Sequence, residues 1–270
     1  MIVADIDALV ARLRRAGCVF AEDEAALLTA AAASPGELES LVVQRISGVP
    51  LEHLLGWAEF RGLRVAVTPG VFVPRRRTEF LVEQALTRGR DHDRAVVLDL
   101  CCGSGALGLA VAHELTAAGI PVELFASDIE PAAVACAERN LARLGARIHR
   151  GDLFAPLPAD LAGRITLLLA NTPYVPSEMI AHMPPEARDH EPRTALDGGP
   201  DGLDTARRVA TEAPRWLAPG GHLFIETSQS QIPTATAHFA ASGLTPTIAE
   251  SDEYYATVVI GTRRLSPYGR

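Results

Sequence analysis

Lysine is absent from this chain: all 25 basic residues are arginine. With abundant alanine beside it, that absence reads as GC-rich coding and not as a functional signature. Cysteine is sparse, at Cys18, Cys101, Cys102 and Cys136, and no CxxC pair occurs. The usual zinc spacings are therefore missing, and no metal is expected. Adjacent Cys101 and Cys102 read as small buried residues. Apolar runs are too short to span a membrane. No basic n-region precedes the apolar stretch of MIVADIDALVARLRRAG, which reads as an amphipathic helix and not as a signal peptide. A cytoplasmic location is the expectation. The eight histidines are dispersed without HxxxH spacing, and Ser104 follows no nucleophile-elbow pattern. No internal repeat is evident.

What is present is a globular composition. The chain has 270 residues, 48% of them hydrophobic, and a formal charge of −8. That length suits one large domain or a medium domain with a small one. The acidity argues against non-specific nucleic-acid binding, which needs phosphate neutralisation, although Arg75-Arg76-Arg77 forms a local basic cluster.

Residues 1–56 read as helical, with Ile2, Ile6, Leu9, Val10 and Leu13 on one face. Glu22 to Ala33 reads as a second helix. Ser34-Pro35-Gly36-Glu37 opens a third, with serine as N-cap, proline at N1 and glutamate at N3. Residues 57–90 read as a hairpin, a Thr68-Pro69-Gly70 turn and a helix capped by Thr78. From 91 to 270 strands alternate with helices. The expected strands are 95–100, 122–127, 147–149, 165–170 and 222–226. The helices between them are 106–118, 131–144, 203–216 and 232–242, and a closing antiparallel pair follows at 245–249 and 255–260. Such alternation predicts an α/β architecture: a mostly parallel sheet covered on both faces, with ligands at the carboxyl ends of its strands.

Candidate ligand residues fall at those ends. Asp99 to Gly105 forms a strand–glycine-turn–helix element. Gly103 and Gly105 allow close backbone approach, and the helix N-terminus offers free N–H groups. A full G-x-G-x-x-G is missing, because Cys101 stands at the first glycine. Asp128 ends the next strand, where an acid can accept both ribose hydroxyls of an adenosine. After the third strand, Asp152 could accept an adenine amine while Leu153 packs on the ring. Nothing suggests a second nucleotide half-site, so a dinucleotide is disfavoured. Asn171-Thr172-Pro173-Tyr174 follows the apolar strand 165–170. Such a turn can place an amide oxygen, a backbone carbonyl and a ring around one planar nitrogen. A methyl-donor site beside a nitrogen-acceptor site is the combined reading.

On these motifs the chain resembles the class I S-adenosylmethionine-dependent methyltransferases. More narrowly, it is similar to the protein N5-glutamine methyltransferases that modify peptide chain release factors. The segments that carry the likeness are LEHLLGWAEFRGLRVAVTPGVFVPRRRTE, VLDLCCGSGALGLA, ASDIEPAAVACAERNL, GDLF, NTPYVP, EPRTALDGGPDGL and LAPGGHLFIE. The resemblance implies a Rossmann-like sheet of seven strands with the last antiparallel, preceded by a small helical substrate-recognition domain. It implies S-adenosylmethionine as donor, S-adenosylhomocysteine as product and a release factor as partner, with no stable nucleic-acid or membrane binding. It assigns the cofactor to Asp99, Cys101, Gly103, Ser104, Gly105, Asp128, Ile129, Asp152, Leu153 and Asn171. Phe72, Arg75, Asn171 and Tyr174 would hold the substrate, and Asn171, Thr172, Pro173 and Tyr174 would form the catalytic turn. Glu191 is expected to brace this region through Arg75 or Arg193.

The chain departs from the family's Asn-Pro-Pro-Tyr at Thr172, and from its FxPRPxTE at Arg76. Two other readings share the motifs. One is methylation of an exocyclic amine of a nucleic-acid base, since the same turn serves a flipped base. The other is donor binding without catalysis.

Overall fold

The computed structural model describes residues 5–265. Four helices come first: α1 (Ile6–Arg15), α2 (Ala21–Ala31), α3 (Pro35–Ile46) and α4 (Leu51–Leu55). Asp5 caps α1 by accepting from Ala8 N at 3.1 Å. Leu9 and Leu13 are buried against Leu28, Leu38 and Val42. Ile6, the first residue of α1 and expected on that face, is instead 43% exposed. Ile2 lies outside the described residues. The start of α3 follows the predicted pattern: Ser34 Oγ accepts from Glu37 N at 3.2 Å, and Glu37 reaches back to Ala33 N at 2.7 Å.

A hairpin of β1 (Trp57–Phe60) and β2 (Leu63–Ala66) follows. Arg61 and Gly62 turn it, both at positive φ, the conformation of a type I′ turn. Helix α5 (Glu79–Gly89) begins after a 3₁₀ turn at Arg76–Thr78. Thr78 provides no side-chain cap, since the preceding 3₁₀ turn holds it in a helical conformation unsuited to an N-cap. Phe80, Leu81, Val82 and Ala85 of α5 join the main core, so this helix packs on the sheet.

The sheet is built from β3 (Ala95–Leu100), β4 (Val122–Asp128), β5 (Arg147–Arg150), β6 (Ile165–Ala170), β7 (Leu217–Thr227), β8 (Leu244–Ser251) and β9 (Ala256–Arg263). Their order is β5-β4-β3-β6-β7-β9-β8. Only β9 runs opposite to the other six strands, as expected. Helices α6 (Ala106–Ala117) and α7 (Pro131–Leu141) cover one face with α5. Helices α10 (Asp204–Trp216) and α11 (Ile232–Ala241) cover the other. All six residues of β3 are buried, with Val97 in one core and Leu98 and Leu100 in the opposite one. Strand order reverses between β3 and β6, which opens a crevice at their carboxyl ends.

Two short helices after β6, α8 (Pro185–His190) and α9 (Arg193–Leu196), were not anticipated. They belong to a segment that grips the turn leaving β6. Val175 N donates to Leu196 O, and Gly198 N donates back to Val175 O at 2.9 Å. Ser177 N donates to Gly199 O. A Cβ on Gly198 would meet Gly202 O and lie 2.6 Å from Pro173 O; one on Gly202 would collide with Tyr174 O. The glycines of LDGGPDGL thus let two backbones pack directly together. The same segment is tied to the helical unit, because buried Arg45 bonds Glu24 at 2.6 Å and Glu186 of α8 at 2.5 Å.

Gly198→Ala is expected to destabilise the fold by about 1–3 kcal/mol, the cost of overpacking, as read by urea denaturation. Gly36→Ala, where a Cβ meets nothing, serves as control and should be neutral or stabilising.

Candidate active site

A cavity of about 880 Å³ opens at the carboxyl ends of β3, β4 and β6. Cys101 to Ser104, Asp128, Ile129, Asp152 and Leu153 form one end of it. Phe72, Arg75 and Asn171 to Tyr174 line the other. The fold thus gathers the sequence-predicted residues around one space, with two exceptions. Asp99 and Gly105 do not line it. Asp99 faces α6, where Oδ2 accepts from Gly108 N at 2.8 Å. Gly105 ends the loop at positive φ, and a Cβ there would press on Leu141 at 3.1 Å.

The loops of the first end are held in costly conformations. Cys101 and Leu153 adopt φ of 56° and 49°, a left-handed region that disfavours side chains with a Cβ. Asp128 links two loops: Oδ2 accepts from Gly103 N at 2.8 Å, and Oδ1 from Glu130 N at 2.9 Å. Burial pushes its pKa up, and these backbone bonds pull against that rise. Each carboxylate oxygen keeps a further lone pair for a ligand. Asp152 pairs with Arg208 of α10 at 2.6 Å across the rim. The Cys101 and Cys102 thiols are pushed up by burial, so they stay protonated and poorly nucleophilic. All four cysteines are free.

At the other end, Asn171 Oδ1 is buried and has no hydrogen-bond partner among the described residues. The same holds for Thr172 Oγ1. Tyr174 is fixed at both extremities: its carbonyl accepts from Gln231 Nε2 at 2.9 Å, and its hydroxyl donates to Glu226 Oε1 at 3.2 Å. Burial raises the Tyr174 pKa, with the Glu226 carboxylate adding to the effect. Phe72 lies under the Arg75 guanidinium, 5.1 Å from its ring centroid. Arg75 in turn bonds Glu191 Oε1 at 2.7 Å, and the same oxygen accepts from Val73 N at 3.0 Å. The expected brace is therefore made to Arg75, while Arg193 pairs with Asp197. Arg76 is exposed and outside the cavity.

Glu226, Gln231 and Arg208 were not singled out from the sequence, and Arg77 only as part of the Arg75–Arg77 basic cluster. Ser228-x-x-Gln231 carries a recognisable capping-box pattern, and the structure forms it. Glu226 is a lone acid closing the apolar run HLFIE. No group of three or more His, Cys, Asp or Glu among the described residues could hold a metal. No described helix is long and apolar enough to cross a membrane.

Comparison with known proteins adds an independent line. Residues 62–182 match the model of the methyltransferase small domain. Over 235 residues the chain is 39% identical to the release factor glutamine methyltransferase of Geobacter sulfurreducens, covering 85% of this chain and 80% of that one. Over 203 residues it is 42% identical to the protein of the same description from Gloeobacter violaceus, covering 73% and 68%. Its fold is similar to that of a methyltransferase from Pyrococcus furiosus, with a TM-score of 0.54 at 13% identity over 84% of this chain and 98% of that one.

Burial pushes the Asp99 carboxyl from 3.8 up to about 8. An acid whose folded pKa is raised stabilises the fold most below its unfolded value, and that contribution is lost as pH rises through the folded one. Asp99→Asn keeps an acceptor for Gly108 N–H and should flatten the decline in unfolding free energy between pH 4 and about 8. Parallel profiles for the two proteins would contradict this.

Proposed function

The chain belongs to the release factor glutamine methyltransferase family, and from that membership we propose that it methylates the side-chain N5 of a release factor glutamine. The donor is S-adenosylmethionine, and the glutamine is that of a Gly-Gly-Gln loop. The observation that carries this reading is Asn171, which lines the cavity and whose buried Oδ1 has no partner among the described residues. Leaving such a group unsatisfied costs about 1–3 kcal/mol, and a substrate amide N–H would remove that cost.

The cavity residues fit the donor. Asp128 retains lone pairs for ribose hydroxyls, Leu153 and Ile129 offer apolar surface for a base, and Asp152 supplies an acceptor for its amine. Gly103 exposes a loop with no side chain in the way. When bound, the donor supplies an electrophilic methyl group on a sulfonium.

The chain's own residues prepare the acceptor. An amide nitrogen is a poor nucleophile, because its lone pair is delocalised into the carbonyl. Asn171 Oδ1 and the Thr172 carbonyl accept its two hydrogens and favour pyramidal nitrogen. The Tyr174 ring stacks on the amide plane, and Phe72, held by Arg75, closes over it. Alignment of this kind can contribute about 7–11 kcal/mol. The methylated nitrogen then releases a proton to water, so no dedicated base is required. At position 172 the backbone acts, which makes threonine compatible with the chemistry.

Residues 1–56 act as the recognition unit, 57–90 as the hairpin and connection, and 91–270 as the methyltransferase domain. Exposed Val19, Phe20 and Val43 on the helical unit support its role toward a protein partner. The base-methylating alternative uses the same turn, but the net charge of −8 and the family disfavour it.

Asn171→Ala should leave donor affinity within a few-fold while nearly abolishing transfer, whereas Asp128→Ala should weaken donor binding by about 1.5–3 kcal/mol. Calorimetry with the donor and a labelled-methyl assay separate the two effects. Equal loss of binding and transfer in Asn171→Ala would sink its assigned role.

A further inference from the structure

Glu226 sits at the carboxyl end of β7, next to the acceptor turn but outside the cavity wall. Its side chain is 1% exposed. Strand neighbours Ile225 and Thr227 are buried too. A carboxylate placed there loses its hydration, a loss that only good partners offset. Two groups converge on one oxygen: Tyr174 Oη donates to Oε1 at 3.2 Å, and Arg77 Nε lies 2.9 Å from the same atom as an ion pair without hydrogen-bond alignment. The second oxygen, Oε2, is buried without a partner among the described residues. Arg77 also lines the cavity, with its guanidinium 5.6 Å from the Tyr174 ring centroid.

These contacts make one unit. The Tyr174 ring forms part of the acceptor wall, and its hydroxyl is the polar handle that fixes where the far end of the ring sits. A bond from hydroxyl to carboxylate is stronger than one between neutral groups. Arg77 neutralises the carboxylate and lies over the ring, where a cation is attracted to the aromatic face. A fully apolar residue at 226 would pack in this strand and anchor neither partner. We propose that Glu226 is a positioning residue for methyl transfer, which locks the Tyr174 ring and the Arg77 guanidinium in place from behind the acceptor turn. This inference rests on the glutamine-methylating reading, and it assigns to Glu226 no contact with substrate.

The test uses the full chain, the methyl donor and a release factor bearing a Gly-Gly-Gln loop. Wild type, Glu226→Gln, Tyr174→Phe and the double variant are compared for kcat, for KM of both substrates and for donor affinity by calorimetry. Glutamine at 226 conserves shape and an acceptor, which guards against simple unfolding. Glu226→Gln is expected to lower kcat about 10- to 100-fold, the scale of a small misplacement, with donor affinity unchanged. In the Tyr174→Phe background the same substitution should cost several-fold less, because the shared anchor is already gone. A folded Glu226→Gln enzyme with wild-type kcat, or equal losses in both backgrounds, would overturn the proposal. Wild-type protein that leaves the release factor unlabelled would instead overturn the functional reading beneath it.

Discussion

The close approach of two backbones around Asn171–Tyr174 is the constraint on which the site depends. Gly198 and Gly202 have no room for a side chain, and Gln231 holds the Tyr174 carbonyl while also bonding Asp201 O at 2.9 Å. Gln231 Oε1 is occupied as well, by Ser228 N and the Thr227 and Ser228 hydroxyls. The turn is therefore braced from outside, and Asn171 at its start lines the cavity with its buried Oδ1 unpartnered among the described residues. A loose loop would let that amide find a local partner, as Asn side chains do in turns. Rigidity here keeps a polar group available.

The second theme is a pair of arginines two residues apart. Arg75 reaches Glu191 and Arg77 reaches Glu226. Each carboxylate is buried, each keeps one oxygen unpartnered among the described residues, and burial raises the pKa of both. One pair ties the Phe72 segment to the loop after α8; the other ties it to the end of β7. Arg76 between them is exposed, so its departure from the family pattern falls away from the cavity. The segment 72–78 thus acts as a strap across the acceptor end, held at two points.

Much of this was readable in the chain. The apolar runs 95–100 and 165–170 became β3 and β6 with those bounds, because fully buried parallel strands read as continuous hydrophobic stretches. The donor loops were readable because their signals are local: glycines in a turn, then an acid at each strand end. Asp99 belonged to the same motif, yet strand alternation turns it toward α6 and Gly108. Helices α8 and α9 are too short and proline-rich for a helical period to show. Strand β7 starts earlier than its apolar core suggests, since Leu217 pairs with Ile165 before the register shifts and His222 pairs with Leu167. Glu226 and Gln231 act across distances of 52 and 57 residues to Tyr174, and no sequence window contains both partners.

The most direct measurement is methyl transfer from labelled S-adenosylmethionine to a release factor carrying a Gly-Gly-Gln loop, beside a Gln→Ala control. The account predicts label on the glutamine-bearing protein alone. Label on both proteins, or on neither while calorimetry shows the donor bound, would contradict it.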